Sequence, residues 1–223
     1  IGEPFYIQNE RNFLVKRANS LGMPVAIHAI GDRGVQMALN AFEFSDHLNL
    51  ANRVEHVEVI QPGTVERFRK LRVTASMQPN HGTGVIGKYI TPRIGSEREK
   101  FAYVWNDFLK GGVRLALSSD FATSPFSPLV QLFDAVFRES PSGLYDGAWY
   151  PEQRISFDEA LYAYTQIGAD LSGWGEEIGS ITKGKWADFV ILDQRLNDPV
   201  GRELKDTLVL STFFAGKEGY SNN

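Results

Sequence analysis

Four histidines, His28, His47, His56 and His81, are the first candidates for chemistry in this chain, which contains no cysteine. A metal bound here must be held by imidazole, carboxylate, modified lysine or water, because thiolate sites and disulfides are excluded. His28 follows the apolar run Val25-Ala26-Ile27 and precedes Gly31-Asp32, a placement that puts its ring at the C-terminal rim of a sheet. His56 closes Arg53-Val54-Glu55-His56, a charged cluster in an otherwise apolar strand. Burying such a cluster without partners costs roughly several kcal/mol. Asp120 ends Leu115-Ala116-Leu117-Ser118-Ser119 and reads either as a ligand or as an Asx turn or helix cap. Two imidazoles and a carboxylate from three strands of a parallel sheet suit zinc or a similar divalent ion. Such an ion brings a bound water to a pKa of about 7 and polarises a carbonyl, which is hydrolase chemistry. His47, between elements in Ser45-Asp46-His47, reads as a surface or core histidine without that role.

The elements that must carry these residues alternate. Phe13, Leu14, Val15, Ala18 and Leu21 recur at helical spacing, and Gly22 with Pro24 stops the run. The apolar segment 24–29 suits a strand buried on both faces, and Gly31-Asp32 opens a helix carrying Val35, Leu39 and Phe42. The same order recurs as a strand over 53–60 with a helix after Pro62. It recurs again as a strand over 73–78, a long loop and a helix over about 97–110. A strand over 113–118 then precedes a helix starting at Pro128. Strands alternating with helices predict an α/β fold with a parallel sheet and right-handed crossovers, doubly wound or barrel-like. Both arrangements place active sites at strand C-terminal ends, where His28, Gln78 and Asp120 fall. A Gly-, Pro- and aromatic-rich loop over 141–151 follows, then Ser156-Phe157-Asp158-Glu159 with the spacing of a capping box, and a helix with Leu161, Tyr164 and Ile167. Beyond Gly173 the runs 189–192 and 207–214 read as strands of a small β unit, and 219–223 as a frayed tail.

With 223 residues, 43% of them hydrophobic and 22% charged, the chain can bury a substantial core. A net charge of −4 with scattered Lys and Arg gives no basic surface for nucleic acid. No apolar run of about 18 residues and no signal-peptide pattern is present, so no membrane partner and a cytoplasmic location are expected, and the hydrolase chemistry above makes a small molecule the expected partner. The first residue is Ile1 rather than Met, and IGEPF reads as mid-protein sequence, which predicts further residues upstream.

The segments VAIHAIGDRGV, RVEHVEVI, MQPNH, LALSSDFATSPFSPL and GSITKGKWADFVILD together resemble successive motifs of the amidohydrolase superfamily, in the branch that includes N-substituted formamide deformylases. The resemblance implies a distorted eight-stranded α/β barrel with a small β-sandwich domain. Residues 1–175 would be its C-terminal half, strands five to eight, and 176–223 the last strands of the sandwich. In that pattern His28, His56 and Asp120 are metal ligands from the fifth, sixth and eighth strands, holding one or two divalent ions with zinc the expected metal. Asp120 would also be the general base that takes a proton from a metal-activated water attacking an amide, formamide or cyclic-amide carbonyl. Gln78 and His81 would line the substrate pocket, with His81 stabilising the developing oxyanion. Asp32 and Arg33 belong to the same family run, or simply open a helix. Arg53 and Glu55 suit an ion pair, Ser124-Pro125 the rim of the site, and Tyr89, Tyr145, Trp149 and Tyr150 an aromatic or apolar leaving group. The family's His-x-His pair and its strand-four lysine or glutamate are missing, and no His-x-His occurs in the sequence. The chain is therefore expected to be part of a longer protein, a cleavage product, or a half completed by association, either as a homo-oligomer or with a missing N-terminal half. On the last view it is catalytically silent by itself.

Overall fold

A computed structural model describes residues 3–139, 147–197 and 200–222. The chain divides into two compact units, Ile1–Gln78 with Ile86–Ala116, and Pro79–Val85 with Leu117–Asn223. Among the described residues no helix is long and apolar enough to cross a membrane.

The first unit follows the alternation read from the sequence: α1 (Gln8–Ser20), β1 (Ala26–Ala29), α2 (Asp32–Ser45), β2 (Arg53–His56), α3 (Thr64–Leu71) and β3 (Thr74–Met77). β1 pairs with β2 and β2 with β3, both parallel, and β4 (Leu115–Leu117) flanks β3. This is an α/β fold with a parallel sheet. Helix α2 buries Val35, Ala38, Leu39, Ala41 and Phe42, the three-and-four spacing of one helical face. Phe13 of α1 meets Phe44 of α2 edge-on, with ring centroids 5.7 Å apart.

Several expectations change along this stretch of chain, the first being that β2 ends at His56 rather than running to Ile60. Strand β1 is not buried on both faces: Ala26 and His28 share an exposed face while Ala29 on the other is buried, and among the described residues β1 lies at the sheet's edge with β2 as its one partner. The long loop after β3 is helical in short pieces, α4 (Pro79–Thr83) and α5 (Val85–Ile94). The single helix expected over 97–110 is split into α6 (Ser96–Glu99) and α7 (Trp105–Lys110). The break has a cause outside its own sequence. Ile60 N–H donates to Phe101 O at 3.0 Å and Tyr103 N–H to Glu58 O at 2.8 Å, so residues 100–104 are claimed by the chain that continues β2.

The second unit contains α8 (Pro128–Phe137), α9 (Phe157–Tyr164), α10 (Gln166–Leu171) and an antiparallel sheet in the order β5-β6-β7 (Phe189–Leu192, Val209–Phe214, Lys217–Ser221). The expected capping box is present: Ser156 Oγ accepts from Glu159 N–H at 3.2 Å, and the Glu159 carboxylate accepts from Ser156 N–H at 2.8 Å. The helix read through Ile167 pauses at Thr165, whose hydroxyl turns back to Leu161 O at 2.7 Å. Within the GSITKGKW segment, Lys185 Nζ donates to Gln166 Oε1, Gly175 O and Ile178 O, tying the strand unit's leading loop to α10. The expected frayed tail is instead strand β7, paired with β6.

The core of this unit is not wholly apolar. Asp134 and Gln131 on α8 are both 0% exposed. Burial raises the Asp134 carboxyl pKa from 3.8 to about 7, and hydrogen bonds from Asn80 and Thr83 pull it only partly back. In the interval from about pH 4 to pH 7 the folded carboxyl keeps a proton that the unfolded chain has released, so its contribution to stability is full below that interval and falls as pH rises through it. The slope of unfolding free energy against pH, measured by urea denaturation, should therefore be flatter in Asp134→Asn than in the wild type, the difference summing to roughly a few kcal/mol across the interval. Ser156→Ala removes both the capping acceptor and its reciprocal geometry and should lower stability by about 1 kcal/mol in the same measurement.

Candidate active site

In the first unit the sheet brings His28 and His56 together. Register places Ala29 opposite His56 and His28 opposite Glu55. The two imidazoles meet edge to face, centroids 4.4 Å apart and planes at 68°. Strand alternation alone would not aim them at one another, since neighbouring positions face opposite ways. The backbone does it: His56 has φ 76° and the next residue, Val57, φ 50°. Left-handed geometry costs a residue with a Cβ roughly 1–2 kcal/mol, and a β-branched residue such as valine is an outlier there. Hydrogen bonds hold the turn, from Val57 N–H to Ala29 O and from Val59 N–H to Ile30 O, each 3.1 Å. Strain kept at a polar strand end is typical of functional sites.

The charges beside His56 are accounted for locally. Arg53 Nε donates to Glu55 Oε1 at 2.5 Å, the ion pair expected for these two. Glu58, absent from the sequence-based site, is 3% exposed, and a carboxylate oxygen of it lies within 4.8 Å of a ring nitrogen of His56. His56 and the buried Glu58 offer a nitrogen and a carboxylate oxygen within reach of one another, and with no sulfur ligand in the chain this donor chemistry suits a divalent cation of the zinc class. Gln78 follows β3 and is buried.

In the second unit His81, buried on α4, sets Nε2 at 3.7 Å from Asp120 Oδ2, while the Asp120 side chain keeps 40% of its exposure. That separation lies beyond hydrogen-bond length but within ion-pair range for a protonated ring. Asp120 has φ 55°, and its backbone carbonyl accepts from Thr123 N–H at 2.8 Å, so a turn forms here. Its carboxylate is not a helix cap, because α8 starts only at Pro128. Tyr164, also outside the sequence-based site, lies against Ser119, the residue before Asp120; burial raises its phenol pKa and the Ser119 hydrogen bond partly offsets this.

The remaining residues singled out in the sequence have the following surroundings. Asp32 begins α2, accepts from Arg33 N–H at 2.8 Å and pairs with Arg98 at 3.0 Å. His47 Nδ1 lies 2.6 Å from Ser45 O. Trp149 is covered by the Arg138 guanidinium, 5.0 Å from its ring centroid, and meets Tyr150 edge-on, which accounts for both as packing. Tyr89 is 56% exposed, Ser124 is buried, and Pro125 O accepts from Gln131 Nε2. Tyr145 lies outside the described residues.

The profile of the Amidohydrolase family matches residues 2–220. The chain is 36% identical over 208 residues to Protein LONG AFTER FAR-RED 3 of Arabidopsis thaliana, covering 91% of this chain and 35% of that protein. It is 31% identical over 220 residues to N-substituted formamide deformylase of Arthrobacter pascens, covering 97% of this chain and 40% of the relative. Among solved structures, an uncharacterized metal-dependent hydrolase from Pyrococcus furiosus superposes with a TM-score of 0.70 at 33% identity, over 82% of this chain and 36% of that one. The chain thus spans between 35% and 40% of the length of these relatives. With its profile match running almost end to end, the chain belongs to the amidohydrolase family.

Proposed function

We propose that this chain supplies the C-terminal part of a metal-dependent hydrolase that cuts carbon–nitrogen bonds of small amides or formamides. The observation that carries the reading is the His28–His56 ring contact, held by a strained backbone turn at the end of β2. The resemblance to an N-substituted formamide deformylase supports the substrate class. On this reading residues 1–175 are strands five to eight of a barrel and 176–223 the closing strands of a β-sandwich.

His28, His56 and Asp120 would hold one or two divalent ions, zinc being the metal best suited to this donor set. When bound, the ion supplies Lewis-acid polarisation of the carbonyl and lowers the pKa of the attacking water. Asp120, with a solvent-open carboxylate, takes the proton from that water at Oδ2 and returns it to the departing nitrogen. His81 donates from Nε2 to the carbonyl oxygen as negative charge grows there. Gln78 orients the amide through its side-chain carboxamide.

The test is made on the protein expressed from its complete coding sequence. His28→Ala should lose bound metal by elemental analysis of the size-exclusion peak, and a chelator should lower the melting temperature of the wild type but not of this variant. Asp120→Asn should keep the circular dichroism spectrum and lower kcat on N-substituted formamides by about 10²–10⁴-fold. Wild-type turnover in both variants would reject the reading. A metal-free, folded wild type without turnover would favour a catalytically silent chain that acts through association.

A further inference from the structure

One buried acid takes no part in the proposed chemistry, yet it touches the segment that carries His81. Asp134 Oδ2 accepts from Asn80 Nδ2 at 2.7 Å, and one helical turn earlier Gln131 Oε1 accepts from Asn80 N–H at 3.1 Å. Gln131 Nε2 donates in turn to Pro125 O at 3.1 Å. A single face of α8 therefore grips both the segment leading into His81 and the loop that leaves Asp120. Helix α4 has five residues, too few to be stable by its own hydrogen bonds, so its direction is set by what pins it.

Gly84 shows how close the fit is. Its N–H donates to Asn80 O at 2.7 Å, and a Cβ on Gly84 would stand 2.5 Å from that oxygen and 2.7 Å from Asn80 Oδ1. The backbone oxygen cannot swing aside as a side chain would, so Asn80 is clamped between Gly84 and α8.

We propose that Asp134, acting with Gln131 through Asn80, is a positioning residue that sets the His81 ring against the Asp120 carboxylate. The proposal rests on the reading of His81 and Asp120 as the oxyanion donor and the base. A hydrogen bond supplied from the core replaces rigidity that so short a helix lacks, and misplacement of a reacting group by about 1 Å can cost on the order of 100-fold in rate. A buried carboxyl is unfavourable for packing alone, since an apolar side chain would fill the same space without desolvation cost.

The experiment compares Asp134→Asn, Asp134→Leu and Gly84→Ala in the protein expressed from its complete coding sequence. An asparagine keeps the acceptor for Asn80, leucine removes it, and alanine at 84 displaces Asn80 with Asp134 untouched. We expect kcat to stay within about twofold in Asp134→Asn and to fall at least about tenfold in the other two, with KM and metal content unchanged. The His81 imidazole resonances should follow the same split, wild-type-like in Asp134→Asn and shifted in Asp134→Leu and Gly84→Ala. Unchanged resonances and kcat in folded Asp134→Leu, or an equal loss in Asp134→Asn, would overturn the proposal; should Asp134→Leu fail to fold, Asn80→Ala, which loses the donor to Asp134, is read by the same two outcomes. The resonances also separate the two ideas. Shifted His81 signals with full turnover in Asp120→Asn would sink the hydrolase reading and leave the positioning intact.

Discussion

The left-handed turn at His56 and Val57 governs the first unit. A parallel strand that continued straight past His56 would carry its ladder on to Ile60 and point successive side chains to alternate faces. Instead β2 stops, the chain is caught again by hydrogen bonds to Ala29 and Ile30, and the freed segment 58–60 bonds to residues 101–103. The interruption of one strand thereby breaks a helix more than forty residues later. It also turns His56 toward His28 and leaves Glu58 buried nearby. One local backbone strain yields the ring contact, the carboxylate and the split of α6 from α7 together.

The second unit works by a different means. Here the reactive candidates sit on short or irregular pieces, a five-residue helix for His81 and a turn for Asp120. Neither piece could hold its shape in isolation. Rigidity is borrowed from α8, which is buried all round over residues 131–135 and mixes Leu132, Phe133 and Ala135 with the polar Gln131 and Asp134. A fully apolar face would pack at least as well. The polar atoms add direction, because a hydrogen bond fixes orientation where a dispersion contact fixes only distance.

What the sequence made legible follows the range of the interactions involved. The alternation of strands and helices is local: the apolar period of α2, the Gly22 stop and the Ser156–Glu159 box each lie within one or two turns of chain, and each is found where expected. His28, Gln78 and Asp120 stand out as polar residues at the ends of apolar runs, and His56 as a ring flanked by charges in an otherwise apolar strand, patterns visible without coordinates. The failures are all non-local. Nothing in Val25–Ala29 says whether a neighbour covers it, so an edge strand reads like a central one. Residues 100–104 look helical until segment 58–60 competes for their backbone groups. Asp134 reads as an ordinary polar position on a helix, and its burial depends on Asn80, which lies 54 residues away in sequence. Strand β7 carries no alternation of its own and exists because β6 offers it a partner.

The unequal exposure of the two touching imidazoles has a kinetic meaning. His28 lies on an exposed strand while His56 is only 9% accessible. A solvent-facing ring reorients at the pace of side-chain rotation. A buried ring beside a strained turn reorients with its backbone, on the slower timescale of local opening. Two rings in one contact thus move on two different timescales.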